Sequence, residues 1–500
     1  MVLSLVIFLP LFGALFILAA PSLEEKRIKW VALAVTILDF LVSLPLWFRY
    51  DGDSGVLFQL GQSAEWIPSL GIRYEVALDG ISLLLVLLVT FIMPLVVVGS
   101  VKTITRRHRE FYTLLLALQT FMLGAFAARD LFLFYMFWEL MVVPMFLIIG
   151  IWGGKPRIYA ALKFFIYTLF GSLPMLVAVL YLYTKLKAQA AADPSIEAAY
   201  SLDALSSLTL TLKEQWLCFI AFGLSFAVKV PMFPFHTWLP DAHTEAPTPG
   251  SVVLAGVLLK MGGYGFLRFA IPFFPLAVQQ AVPALYFFAV VGIVYAALVA
   301  LVQTDVKRLV AYSSVSHMGL IVLGIFALNP DGVRGGVYQM LAHGLTTGGL
   351  FLLVGMLYER RHTREFSEFG GVAHRMPVYA FFFLAITLGS IGMPGLNGFV
   401  GEFLIFLGTF RESPVTAFIA VTGVILGAWY MLTTVKKIFF GEIRNDANRS
   451  LVDIDRREIA VLAPLLLMII IMGVMPAPFL NKMEASVQAV VQGYMTAVGR

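Results

Sequence analysis

Long apolar segments alternate with short polar loops along almost the whole of this 500-residue chain. A helix of about 20 apolar residues spans the hydrocarbon core of a bilayer. We therefore predict an all-α, polytopic membrane protein with about fourteen transmembrane helices. The predicted spans, numbered 1 to 14 in chain order, are residues 2–20, 28–48, 78–101, 111–128, 130–152, 158–186, 214–234, 250–272, 280–303, 307–328, 334–359, 377–410, 415–441 and 458–480.

Two longer connections interrupt this pattern, at residues 50–76 and 188–213. Both contain turn-forming and charged residues, so we predict non-helical loops, with a short surface helix in the second. Residues 1–20 lack the basic start and the small-residue cleavage site of a secretory signal. We interpret them as a retained first span.

Composition supports the membrane class and excludes others. Hydrophobic residues make up 60% of the chain, charged residues 13%, and the mean hydropathy is +0.89. Soluble domains are nearer one half apolar and one quarter charged. The single cysteine, Cys218, excludes a disulfide framework and an iron–sulfur cluster held by this chain alone. The net charge of +5 is spread over loops and does not indicate nucleic-acid binding.

Most lysine and arginine residues fall in loops on one side of the predicted membrane. These loops, which we call the basic face, include residues 26–29, 102–109, 155–163, 307–308, 360–375 and 436–457. Loops rich in lysine and arginine remain cytoplasmic. We therefore expect a multi-pass protein of the cell's inner (plasma) membrane. With an even number of spans, both termini are expected on the outer side, which we call the opposite face.

Short sequence matches indicate an internal repeat, for example Asp130 with Asp305 and Pro231 with Pro394. Spans 4–8 then match spans 9–13, and a repeat of five helices must be inverted in the membrane. Inverted repeats with broken helices are typical of transport folds. The predicted division is three N-terminal helices in 1–110, the first repeat in 111–272, the second in 273–441, and a final helix with a C-terminal tail in 442–500.

Two prolines predict breaks in spans 7 and 12. Pro231 removes the hydrogen-bond donor for the carbonyl of Ala227, and Pro394 does the same for Ser390. Non-helical backbone at membrane depth persists only where it is buried in protein or faces water. We therefore predict hydrated, polar cavities beside the charged residues that accompany the two breaks.

Six ionisable residues lie roughly 14–20 Å inside their predicted spans, at 1.5 Å per residue. They are Glu139, Lys229, Lys260, His317, His343 and Glu402. A charge at this depth costs roughly 2.5–3.5 kcal/mol on insertion scales. A single buried histidine often serves only packing, and a lysine near a helix end, such as Lys163, reaches the interface. Six such residues at one depth favour a functional arrangement.

The residue types indicate proton transfer. Glu139 and Lys229 carry opposite charges and can pair. Lys260 has no acid on its own helix, and burial disfavours its charge, so it can load and release a proton. The two histidines can relay protons, and Glu402 offers an acidic terminus. The polar turn at 241–245 either guides proton uptake or only caps the adjacent helices, and both interpretations remain open here.

Four segments are similar to those of the antiporter-like subunits of respiratory complex I. They read LFYMFWELMVVPMFLIIGIWGG, FAVKVPMFPFHTWLPDAHTEAPTPGSVVLAGVLLKMGGYG, DVKRLVAYSSVSHMG and MPGLNGFVGEF. The resemblance covers essentially the whole chain. It implies a coupling pair of Glu139 and Lys229, a central proton carrier at Lys260, histidines that continue the path, and a last site at Glu402. It also implies that this chain binds no redox cofactor and performs no redox chemistry itself.

With glutamate at position 402, the chain resembles the M-type branch of this family, because the L-type and N-type paralogues usually have lysine there. The resemblance implies a subunit of a proton-translocating NADH:quinone oxidoreductase, with L-type and N-type paralogues and other membrane-arm subunits as partners. We also expect the chain to contact the lipid bilayer and to bind protons, and we expect it to bind neither nucleic acid nor metal.

Three alternatives remain open. The first is a subunit of a multisubunit cation/proton antiporter, and Glu402 argues against it. The second is the equivalent subunit of a ferredoxin-linked or hydrogenase complex. The third is a membrane scaffold with degenerate channel residues, and the intact set of six ionisable residues argues against it.

Overall fold

The computed structural model describes residues 2–193 and 198–499, and these residues are predominantly helical. The first half of the chain contains a short hairpin of two strands, β1 Gln59–Ile67 and β2 Ile72–Leu78. Its helices are α1 Val2–Ala19, α2 Glu25–Arg49, α3 Gly80–Thr103, α4 His108–Ala127, α5 Leu131–Leu140, α6 Val142–Trp152, α7 Arg157–Ala192, α8 Leu202–Ser206, α9 Leu212–Lys229 and α10 Trp238–Glu245.

The second half begins with a span made of three α-helical pieces joined by π-helical turns. The pieces are α11 Thr248–Val253, α12 Lys260–Gly265 and α13 Ile271–Phe273. The remaining helices are α14 Pro275–Leu301, α15 Val306–Phe326, α16 Pro330–Arg361, α17 Pro377–Ser390, α18 Asn397–Glu412, α19 Pro414–Phe439, α20 Arg456–Val474 and α21 Ala477–Ala497.

This architecture confirms the predicted polytopic helical class. Within residues 2–193 and 198–499, twelve helices are long and apolar enough to cross a membrane. The two predicted spans that do not meet this criterion are the ones expected to be broken. Span 7 stops being helical at Lys229, and span 12 is divided into α17 and α18. The total of fourteen spans, the inverted repeat and the division at residues 110, 272 and 441 remain predictions.

The connection at 50–76 is largely non-helical, as predicted, and it contains most of the β1–β2 hairpin. The two strands pair antiparallel, with Gln62 opposite Val76 and Glu65 opposite Arg73. Gly71 closes the turn between them with a φ of 66°, a conformation that glycine adopts without strain. The strands themselves were not predicted, because charged and turn-forming residues obscure the alternation of this short, half-exposed pair.

The predicted C-terminal tail is also largely a helix, α21. It lies against α3 and α16 and buries one face that includes Met483, Val487 and Val491. Its charged and amide residues lower its hydropathy, so a search for apolar spans does not detect it. In the second long connection, the short predicted helix is present as α8, capped by the Ser201 side chain. Residues 194–197 of that connection lie outside the described residues.

Two spans form the centre of the molecule. The apolar windows of Thr248–Phe273 and Pro330–Arg361 are completely buried, whereas less than half of each window in α1, α2, α7 and α14 is buried. The central spans carry Lys260 and His343. The fold therefore surrounds these two groups with protein and leaves the peripheral helices to face lipid.

Candidate functional site

Lys260 lies at the start of α12, completely buried between two π-helical turns, Leu254–Leu258 and Phe266–Ala270. π-helical turns occur frequently at functional sites and redirect side chains relative to a regular helix. The Lys260 ammonium donates a hydrogen bond to the carbonyl of Ala255 in the preceding turn. Its Nζ also lies 2.7 Å from Nδ1 of His343. Lys260 is thus in direct contact with a second ionisable side chain.

His343, His317 and Glu402 follow Lys260 at short spacing. The rings of His343 and His317 meet edge to face, with centroids 5.6 Å apart. Nε2 of His317 lies 4.0 Å from Oε1 of Glu402. We call these four residues the output row. The structure brings them together from α12, α15, α16 and α18, although they are up to 142 positions apart in the chain.

Glu402 occupies the concave side of the break between α17 and α18. Gly392, within the break, has a φ of 71°, and a Cβ atom at this position would overlap Oε2 of Glu402. A cavity of about 20 Å³ lies beside His317, Glu402 and Tyr430. A volume of about 10–15 Å³ suffices for one water molecule. A hydrated, polar cavity was predicted beside Glu402. The cavity that is present mixes Ser316, His317, Glu402 and Tyr430 with apolar side chains, and its hydration remains a prediction.

Uncharged polar side chains around Glu402 were not predicted. Oε1 of Gln339, the hydroxyl of Ser390 and both polar atoms of the Asn397 side chain are buried and have no hydrogen-bond partner among the described residues. Buried polar groups nearly always require a protein or water partner. This cluster therefore makes the surroundings of Glu402 suitable for ordered water.

Glu139 and Lys229, which we call the input pair, differ from the output row. Among the described residues, neither Lys229 Nζ nor Glu139 Oε1 has a hydrogen-bond partner. The Lys229 ammonium lies 4.9 Å from the centroid of the Trp138 ring, next to Glu139 in sequence. Glu139 is near enough to interact electrostatically with Lys229. The direct ion pair that opposite charges suggested is absent from this part of the structure.

The break after Lys229 is closed by protein groups. The carbonyl of Ala227, which Pro231 leaves without its helical donor, accepts a hydrogen bond from the backbone N–H of Met232 at 2.8 Å. The carbonyl of Val228 accepts one from Nε1 of Trp238 at 2.9 Å. These two carbonyls are therefore satisfied by protein groups, whereas the Lys229 ammonium has no hydrogen-bond partner among the described residues. The hydrated cavity expected at this break remains a prediction. A second, unpredicted interruption separates α5 from α6 at Met141, two residues after Glu139.

The polar turn between the input pair and the basic face has two distinct parts. Asp241 forms a salt bridge with Lys163, with Oδ2 and Nζ 2.7 Å apart, which explains how the charge of Lys163 is accommodated. His243 is fully buried, stacks on Phe351 at 4.6 Å, and has no hydrogen-bond partner for either ring nitrogen among the described residues. It is near enough to interact electrostatically with both Lys307 and Lys260.

Glu245 and His236 complete this region. Burial raises the pKa of the Glu245 carboxyl above its ordinary value, and the nearby Arg364 and Lys307 only partly offset that effect. His236 is buried against Phe233 and Tyr295 rather than in the output row.

Four of the six predicted residues form the output row, and the other two, Glu139 and Lys229, make no direct contact with each other. Their functional roles remain predictions.

The family description NADH:quinone oxidoreductase/Mrp antiporter, TM matches residues 128–427. This is 60% of the chain and includes all six candidate residues. The chain belongs to this family. The predicted family is therefore confirmed.

Members of the family match the chain over nearly its full length. The NADH-quinone oxidoreductase subunit M of Rhodobacter capsulatus is 46% identical, over 99% of this chain and 98% of that relative. A chain of respiratory complex I from Thermus thermophilus superimposes with a TM-score of 0.89 at 34% identity, covering 99% of this chain and all of that one. A chain of the Mrp complex from Dietzia sp. is 21% identical, with a TM-score of 0.82 over 97% of this chain and 52% of that chain, and shows the shared fold alone.

Proposed function

We propose that this chain is the M-type membrane-arm subunit of a proton-pumping NADH:quinone oxidoreductase. It conducts protons across the membrane, and quinone reduction elsewhere in the complex drives this movement. The chain itself binds no redox cofactor, so it contributes to the enzyme as part of its proton translocase. The single observation that carries this proposal is the continuous output row from Lys260 to Glu402.

The chemistry of the output row suits stepwise proton transfer. Lys260 and His343 lie within hydrogen-bond distance at 2.7 Å, so a proton can pass between them directly. Histidine carries protons well because it gains and loses them near neutral pH. His317 and Glu402 are separated by 4.0 Å, which a ring rotation or one water molecule in the adjoining cavity can bridge. Each group in the row can both accept and release a proton.

The input pair controls Lys260 in this proposal. Two buried opposite charges attract each other strongly over short distances in a medium of low dielectric constant. Movement of Lys229 toward Glu139 therefore weakens the positive potential at Lys260 and favours its protonation. Movement away has the reverse effect. A conformational change at the end of α5 or α9 is thereby converted into proton loading at the centre of the molecule.

His243 provides the connection from the basic face to Lys260. It is a buried ring within electrostatic range of both Lys307 and Lys260, and both of its nitrogens are free of protein hydrogen bonds among the described residues. A histidine with two available nitrogens can accept a proton on one side and release it from the other. Protons taken up from the cytoplasm then reach Lys260 through this residue.

The surroundings of the chain follow from the same proposal. The chain resides in the inner membrane with the basic face in the cytoplasm and both termini outside. Its partners are other membrane-arm subunits, with L-type and N-type paralogues as direct neighbours. The lipid-facing and neighbour-facing surfaces are supplied by peripheral helices such as α2, α7 and α19, where large apolar side chains including Phe48, Phe170 and Phe418 are exposed.

Substitution of Lys260 in the assembled complex tests the proposal. We expect Lys260→Ala to reduce NADH-driven proton uptake by inverted membrane vesicles, and coupled quinone reduction with it, by at least about ten-fold. Lys185→Ala is a matched control, because Lys185 forms a half-exposed salt bridge with Glu214. Proton uptake at the wild-type rate in the Lys260→Ala complex would exclude Lys260 as the carrier.

A cation/proton antiporter is the second candidate, because the matching family also includes Mrp antiporters. The two functions differ in their cation. In proteoliposomes that contain the assembled complex, proton pumping independent of sodium supports the oxidoreductase. Sodium uptake coupled to proton release, without NADH, supports the antiporter.

A further inference from the structure

The span that carries Lys260 continues toward the opposite face with two more polar side chains. Tyr264 and Arg268 follow Lys260 at positions four and eight residues later. Each residue lies about one helical turn further along the span, and Tyr264 and Arg268 are hydrogen-bonded to each other. We call these three residues the Lys260 file. A proton that moved from Lys260 directly along this span would reach the opposite face without passing through the output row. A proton pump with both routes open would lose protons backward through the direct one.

The file ends in a buried ion pair. Nη2 of Arg268 lies 2.6 Å from Oδ2 of Asp79, which is only 1% exposed, and Arg268 itself is 8% exposed. Nε of Arg268 donates a hydrogen bond to the Tyr264 hydroxyl at 3.1 Å. The Tyr264 hydroxyl in turn donates to the carbonyl of Phe126 at 2.9 Å. The polar groups of Tyr264, Arg268 and Asp79 are therefore engaged with one another or with the backbone.

Other elements hold Asp79 in position. Asp79 forms a capping box with Ser82 at the start of α3, with hydrogen bonds of 2.8 and 2.9 Å. The next residue, Gly80, donates its backbone N–H to Oγ of Ser486 on α21 at 2.8 Å. Contacts within α3 and with α21 thus hold Asp79 in place, independently of its ion pair with Arg268.

We propose that Arg268, Asp79 and Tyr264 form a barrier that closes the direct route from Lys260 to the opposite face. The barrier rests on the proposed function, because it matters only if Lys260 carries protons. It assigns these residues a positioning role, in which they direct protons from Lys260 into the output row.

The chemistry of the three residues supports a barrier rather than a second exit. A guanidinium is always charged, has five donors and no acceptor, and so cannot receive a proton. Its fixed positive charge also repels protons, as arginine does in other selective pores. The Tyr264 hydroxyl already donates one hydrogen bond and accepts another, so it can relay a proton only after one of them breaks. The ring nitrogens of His317 and His343 are not all engaged in this way.

The test uses the assembled complex in inverted membrane vesicles. NADH oxidation first builds a pH gradient, an inhibitor then stops turnover, and the decay of the gradient measures backward proton flow. We expect Arg268→Gln to accelerate this decay several-fold while quinone reduction continues. Arg334→Gln is the matched control, because Arg334 also forms ion pairs near the opposite face, with Asp331 and Glu484, but does not belong to the Lys260 file. Its decay should equal that of the wild type.

Two further variants distinguish the barrier from general damage. Arg268→Lys keeps the positive charge and should retain a slow decay. In the double variant Arg268→Gln/Lys260→Ala, the leak should disappear, because its path includes Lys260. A slow decay in Arg268→Gln would overturn the barrier, and so would a leak that persists in the double variant. Native gels check that each complex has assembled, and Arg268→Met, which also removes the charge, replaces Arg268→Gln if that variant assembles poorly.

The outcomes also separate this inference from the proposed function. Normal proton pumping by Lys260→Ala alone would remove the proposed function and the barrier with it. Impaired pumping by Lys260→Ala together with a slow decay in Arg268→Gln would remove only the barrier.

Discussion

The input pair and the output row contain the same kinds of ionisable side chain, but their contacts differ. In the output row, each group is within 2.7 to 5.6 Å of the next, measured between polar atoms or ring centroids. In the input pair, the Lys229 ammonium has no hydrogen-bond partner among the described residues and faces the Trp138 ring instead. The groups of the output row are therefore closely spaced, with a hydrogen bond between Lys260 and His343. The charged groups of the input pair make no direct contact with each other.

This difference separates conduction from control. A connected row conducts protons with only small rotations of side chains, so it needs no large change in the fold. An uncompensated buried charge is costly, and its free energy changes steeply with the distance to an opposite charge. A small movement of α5 or α9 thus has a large effect at the input pair. We infer that the rest of the complex acts on this half.

The largest effect should come from a break in the middle of the output row. His343→Leu removes the group that contacts Lys260, and we expect NADH-driven proton pumping to fall by at least about ten-fold. His108→Leu is the control, because His108 begins α4 at the basic face, away from the row. Pumping by His343→Leu near the wild-type rate would show that the row is not the path.

A somewhat smaller effect should follow from neutralising the input pair. Glu139→Gln removes the charge that attracts Lys229 but leaves every contact of the output row intact. We expect coupled quinone reduction to fall several-fold, with normal assembly on native gels. Glu110→Gln, at the exposed start of α4, should have no effect. If Glu139→Gln turned over normally, the proposed control by this pair would be wrong.

A moderate effect should come from displacing Glu402 rather than removing it. Gly392→Ala places a methyl group where the Glu402 carboxylate lies and also strains a backbone with a φ of 71°. We expect proton pumping to slow by a few-fold, because the last step of the row is misaligned. Gly493→Ala, where an added Cβ meets no atom within 4 Å, is the control. Equal pumping rates for the two variants would contradict the placement of Glu402 in the path.

The smallest effect should come from the uncharged polar cluster near Glu402. Gln339→Leu removes a buried, unpartnered amide oxygen and with it a site for ordered water. We expect proton pumping to fall by about two-fold or less, because the titrating groups remain. Thr422→Val provides the control, since the Thr422 hydroxyl bonds only its own helix on an exposed surface. A loss as large as that of His343→Leu would mean that Gln339 is a main element of the path.

The sequence predicted the helical class, the two breaks and the location of the six ionisable residues, because hydropathy and depth depend on position along the chain alone. It did not predict the separation of Glu139 from Lys229, since the direction of a side chain around its helix is not visible in depth. The π-helical turns beside Lys260 escaped prediction as well. They arise from packing of a completely buried span and leave no mark in the hydropathy pattern.

The other features that were not predicted also depend on contacts between elements distant in the sequence. In the sequence alone, Arg268 is an ordinary basic residue near the opposite face. Only the fold shows that Asp79, at the start of α3, forms an ion pair with it. Gln339 and Asn397 are uncharged, and such residues are common in spans, so only their burial without partners distinguishes them. The α21 helix has too few apolar residues to be recognised without its contacts.

The central claim is that the four residues of the output row form one proton path in series. The direct test is to compare NADH-driven proton uptake in vesicles carrying His343→Leu, Glu402→Gln and the double variant. In a series path, either break stops conduction, so the double variant should pump no more slowly than the more severe single variant. Proton uptake at the wild-type rate in either single variant, or a double loss equal to the product of two partial losses, would contradict the account.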